Sequence, residues 1–85
     1  MEFILEVEDC FRIQGRGIVF CGKYSGNISI GESIYSSDGK AFIVMGLDIP
    51  RKKIEENYIA ISIGNDTKLD LNFYKGKSLT TRCIV

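Results

Sequence analysis

Histidine is absent from the 85 residues, proline occurs once and alanine only twice. Without histidine the chain lacks the usual general base near neutral pH and the commonest metal ligand. Catalytic triads, zinc-bound histidine sites and metalloprotease helices are excluded in their usual forms. No enzyme activity, metal or cofactor is therefore expected. Long apolar runs are also missing. The longest, Ala41 to Met45, falls far short of the roughly 20 residues that span a bilayer, and no membrane partner is expected.

Charge of one sign is lacking as well. Eleven basic residues balance eleven acidic ones, which argues against a cationic nucleic-acid wrapper and against DNA as a partner. The three cysteines, Cys10, Cys21 and Cys83, form no CxxC pair and leave one over after any pairing. The opening Met1-Glu2 has neither a basic region nor a long apolar stretch, so no signal peptide is read there. A reducing cytoplasm is the expected location, with cysteines acting as small hydrophobes. What the sequence has instead is β-branching: 13 Ile, 4 Val and 3 Thr favour strands over helices.

Apolar residues recur mostly at every second position. Phe3, Leu5, Val7 and Phe11 are expected on one face of a first strand, with Glu6, Glu8, Cys10 and Arg12 on the other. Gln14-Gly15-Arg16-Gly17 supplies a turn, and Ile18 to Ser25 a second strand. Gly26-Asn27 turns the chain into an extended piece, Ile28 to Ile30. Asp38-Gly39 signals a two-residue hairpin between apolar runs. Ala41 to Ile49 is expected as one strand bent at Gly46 and ended by Pro50. Arg51 to Glu56 alone could form a helical turn. Tyr58 to Gly64 and Leu79 to Val85 complete the strands. Residues 1–85 thus predict one all-β domain, a small closed or nearly closed antiparallel barrel.

Motifs for chemistry are weak. Gly26 to Ser33 has the glycine spacing of a phosphate-binding loop, but Glu32 stands where the lysine belongs. Gly76-Lys77-Ser78 lacks the first glycine, and both segments read as turns. Glu6, Glu8 and Asp9 read as a solvated strand face rather than metal ligands. Cys10 and Cys21 would be opposite each other in a symmetric hairpin and offset by a bulge; buried, reduced spacers are expected. Basic groups beside aromatics, as in Arg51-Lys52-Lys53 near Tyr58 or Lys75 and Lys77 near Tyr74, are the pattern that holds single-stranded RNA.

The order of these features resembles a known family. Asp9, Phe11, Ile13, Gly15, Arg16, Gly17, Val19, Gly22 and Lys23, followed by Gly26, Ile28, Gly31, Glu32 and Ile34, look like the opening of domain 2 of elongation factor Tu and related translational GTPases. Gly46-Leu47-Asp48 and Lys75-Gly76-Lys77-Ser78-Leu79 resemble later parts of the same domain. The resemblance implies a six-stranded Greek-key barrel with no catalytic role. It places Gly15, Arg16 and Gly17 on a turn facing ribosomal RNA, and Asp48 in a pocket for a terminal adenosine with Arg51 nearby. Asp48 replaces the family's glutamate, and Ala60 stands where the family has glycine.

The sequence carries no GTPase domain, so unaided delivery of transfer RNA is not expected. The leading expectation is a stand-alone module binding ribosomal or transfer RNA, or a ribosomal surface, through Arg16 and the segment containing Asp48, Arg51, Lys52 and Lys53. The alternative is a protein-binding module that mimics domain 2 toward a protein of the translation apparatus; the zero net charge favours it slightly. A monomer or weak dimer is expected.

Overall fold

Period-two alternation makes strands almost throughout. The computed structural model describes residues 2–15, 17–49, 57–64 and 69–81. In chain order the strands are β1 (Ile4–Ile13), β2 (Gly17–Ser25), β3 (Ser33–Tyr35), β4 (Ala41–Ile43), β5 (Gly46–Asp48) and β6 (Tyr58–Gly64). A single helical turn, α1 (Leu71–Tyr74), precedes β7 (Ser78–Thr80). They pair antiparallel in one sheet, in the order β4-β3-β7-β1-β2-β6-β5.

The all-β expectation holds, but the strand count and closure differ. Among the described residues seven strands form instead of six, and the sheet is not closed by pairing. The cause lies in the segment expected as one strand, Ala41 to Ile49. The Val44 amide donates to the Glu32 carbonyl (2.9 Å), whereas the next amide, Met45, donates to the Ser62 carbonyl (2.7 Å). Successive residues turn to different neighbours, so the strand breaks into β4, which pairs with β3, and β5, which pairs with β6. The two margins of the sheet are therefore consecutive in the chain.

β1 departs from its simple alternation at Glu8. Val7 pairs with Gly22 but Asp9 pairs with Cys21, leaving Glu8 as an extra residue. Such a bulge shifts every later side chain to the opposite face. Cys10, expected outside, is buried in the core, and Phe11, expected inside, is 38% exposed. The two backbones approach so closely here that a Cβ on Gly22 would run into the Glu6 carbonyl oxygen. The same shift sets Cys10 opposite Phe20 and Cys21 opposite Asp9, so the two free, buried thiols do not face one another. Burial pushes the Cys10 thiol up to about 11 from an ordinary 9.0, and raises Cys21 as well.

Two other local expectations change. Ile28 to Ile30 makes no strand, because the Glu32 amide donates to the Ser29 carbonyl (3.1 Å) and the Glu32 carboxylate accepts from the Ser29 amide (3.0 Å). Glu32, in the lysine position of the phosphate-loop spacing, thus closes a turn. The β3–β4 hairpin has a three-residue loop, not a two-residue one: the Ser36 amide donates to the Lys40 carbonyl and the Gly39 amide to that of Ser36. A type I turn followed by a bulged residue has this pattern.

The core centres on Phe20, whose ring meets Phe42 at 5.5 Å and Tyr74 at 5.6 Å, edge to face. Tyr74 comes from α1, a turn capped by the Asp70 carboxylate accepting from the Asn72 amide. The Tyr74 hydroxyl donates to Asp38 Oδ2 (3.2 Å), and the Ser36 hydroxyl donates to the same carboxylate, tying α1 to the β3–β4 loop. The Arg12 guanidinium holds the segment before α1 by donating to the Leu69 carbonyl (2.8 Å). The helical turn expected at Arg51 to Glu56 lies outside the described residues, as does the end of the expected closing strand beyond Thr81. Among the described residues no helix is long and apolar enough to cross a membrane.

Candidate partner-binding site

Of the residues expected to bind, Gly15, Gly17 and Asp48 are described, and Arg16, Arg51, Lys52 and Lys53 lie outside the described residues. Gly15 (φ +84°) and Gly17 (φ +92°) both take left-handed backbone, which side chains with a Cβ resist. Their presence is thus required by the β1–β2 turn, whatever else the turn does. Asp48 is positioned by β5, where it pairs with Ala60, which in turn pairs with Cys21. From Gly17 to that row is four residues along β2 and two strands across, on the order of 16 Å. The expected turn and the expected pocket are therefore separate places on the sheet.

Asp48 does line a cavity. An open pocket of about 510 Å³ is bounded by Met45, Gly46, Leu47, Asp48 and Ser62. The register explains its make-up: Gly46 pairs with Ser62, and Asp48 with Ala60, so these side chains share the outer face of the sheet. Gly46 and Ala60 contribute little bulk, which leaves the depression. Among the described residues the Asp48 carboxylate makes no hydrogen bond or ion pair, and it is the only charged group lining the pocket. By contrast Asp9, on the same row of the sheet, is engaged by Lys75 (3.6 Å) and by the Cys10 amide.

Leu47 points the other way. It pairs with the fully buried Ile61 and so lies on the core-side face, although it is 37% exposed. There it lines a second opening of about 260 Å³ with Tyr24, Gly26, Asn27, Ile28, Ile49 and Ile59. This slot runs beside β5, which among the described residues has one strand neighbour, β6. Ile49 in this slot is 46% exposed, and Met45, in the lining of the first pocket, is 62% exposed.

The chain matches no family model, no curated protein and no solved structure. The site must accordingly be read from its own chemistry. A carboxylate set beside Met45 and the Ser62 hydroxyl repels phosphate and favours a cation or a hydrogen-bond donor. Among the described residues no group of three or more His, Cys, Asp or Glu could hold a metal ion.

Asp48 was named in the sequence within Gly46-Leu47-Asp48, whereas Met45, Ile49 and Ser62 were not singled out. Met45 ends the apolar run Ala41 to Met45, Ile49 adjoins Asp48, and Ser62 sits in the alternating segment Tyr58 to Gly64, so none carries a local sign of a pocket. On the basic side, Tyr74, expected beside Lys75 and Lys77 as a stacking group, is buried in the core. Its neighbour Phe73 is the exposed ring, with the Lys77 ammonium 5.3 Å from its centroid.

Proposed function

We propose that this chain is a non-catalytic, protein-binding module built on a barrel of the kind found in domain 2 of translational GTPases. The barrel reading is supported by the sheet margins: β4 and β5, at its two ends, are separated in the chain by Val44 and Met45 alone. The binding reading is carried by one observation, the exposed β5 margin, where Asp48, with no hydrogen bond or ion pair among the described residues, lies next to exposed Met45, Leu47 and Ile49. Protein interfaces combine apolar anchors with a few oriented polar groups in this way. A phosphate backbone needs several unbalanced cations instead, and the described pocket offers none.

A photo-crosslinking amino acid in place of Met45, at the rim of the pocket, tests this. The expected product in cells is a crosslinked species that survives ribonuclease and is lost on protease treatment. Disappearance of the product after ribonuclease contradicts the reading.

RNA binding is the second reading, and Phe73 favours it. An exposed ring with Lys77 over its face can stack on a base. With Lys75 engaged by Asp9, few cations remain there for phosphates. The RNA reading requires that Phe73→Ala abolish binding of a single-stranded RNA probe, with affinity falling steeply as salt rises.

A further inference from the structure

β5 offers different chemistry on its two faces within two consecutive residues. Leu47 faces the apolar slot lined by Ile28, Ile49 and Ile59, and Asp48 faces the outer pocket beside Ser62. The edge of β5 away from β6 has no strand partner among the described residues. An added strand alternates its side chains between the two faces of a sheet. A strand laid along this edge therefore meets an aliphatic environment at one position and, at the next, a carboxylate with no partner among the described residues.

We infer that the occupant is an extended segment of a partner protein that carries a lysine or arginine next to a branched aliphatic residue. This rests on the protein-binding reading and specifies its partner chemistry. The aliphatic side chain enters the slot, and the basic one crosses the outer face to Asp48. Charge complementarity selects the occupant. Asp48 is the one charge in the described pocket, so an acidic or phosphorylated segment is repelled and a neutral one leaves the carboxylate unpaired. The slot volume, about 260 Å³, lies below the roughly 300–1,000 Å³ of pockets for drug-sized ligands, which suits one side chain better than a small molecule. Within β4 and β5 the edge carries few of the residues that discourage strand addition: Ala41 to Ile49 contains one charged residue and no lysine or proline, and Pro50 follows.

The test is a titration of the isotope-labelled full chain with two capped synthetic peptides, threonine-isoleucine-arginine-isoleucine-threonine and the same sequence with glutamate for arginine. Amide shifts of Gly46, Leu47, Asp48 and Ser62 are the readout. The arginine peptide is expected to move these four, and to bind about fivefold more tightly than the glutamate peptide, the scale of an exposed ion pair. Asp48→Asn is expected to remove that preference, as is high salt, while Leu47→Ser weakens both peptides. Equal binding of the two peptides, or a preference that survives Asp48→Asn, overturns the inference. Absence of any shift overturns it too. If the Met45 crosslink to a protein persists in that case, the protein-binding reading stands and only the partner chemistry is wrong; if it is also lost, both fall.

Discussion

The centre of the sheet and its β4–β5 margin are built from similar residues and behave differently. β1, β2 and β6 run for 10, 9 and 7 residues, and from Gly17 to Gly22 β2 is buried at every position. β4 and β5 have three residues each, and Ile43, Met45, Leu47 and Ile49 around them remain exposed. Isoleucine and leucine in the centre are removed from water and hold the fold. At the margin the same side chains remain in contact with water. The difference comes from neighbours rather than composition: among the described residues the centre has strands on both sides, and the margin on one.

The sharpest way to break this comparison is Phe20→Ala. Phe20 is fully buried between Phe42 and Tyr74, and its truncation should cost about 3–5 kcal/mol. A chain of this size holds only about 4–13 kcal/mol in total, so the urea midpoint should fall by a large fraction of its parent value. Gly22→Ala follows. Its methyl collides with the Glu6 backbone rather than a side chain that could move, and a loss of about 2–3 kcal/mol is expected in the same assay.

A pH series probes the centre more gently. The Cys10 thiol titrates near 11 when folded, against 9.0 for the ordinary group. Its contribution to stability is therefore complete below about pH 9 and is lost as pH rises through about 11, where the unfolded chain binds fewer protons. The urea midpoint should fall over that window, and Cys10→Ala should flatten the fall. Cys21 shifts in the same direction and adds to it.

The central strands were readable from residue order because Leu5, Val7, Ile18, Phe20, Ile59 and Ile61 keep period two and are buried where that period puts them. The Glu8 bulge was not readable. One unpaired residue changes no composition, yet it exchanged the faces of Cys10 and Phe11. Gly22 was the trace it left, a position matched to a motif whose local role is to admit the Glu6 carbonyl. The helical turn of Leu71–Tyr74 was missed because four residues give no periodicity to detect; its buried Tyr74 decides it. At the site, Asp48 stood out by its charge, whereas Leu47 and Met45 did not. An apolar residue beside a glycine gives no local sign of whether a strand will cover it. That depends on the partner switch at Val44 and Met45, which is a property of the assembled sheet.

The smallest stability effects should come from the margin, and there the functional effect should be largest. The most direct measurement is a paired one on Asp48→Asn: urea stability and affinity for the arginine peptide, determined on the same protein. Stability within about 0.5 kcal/mol of the parent chain, with the arginine-over-glutamate preference gone, is the predicted result. An unchanged preference, or a loss of binding accompanied by a comparable loss of stability, would contradict the separation of a structural centre from a binding margin.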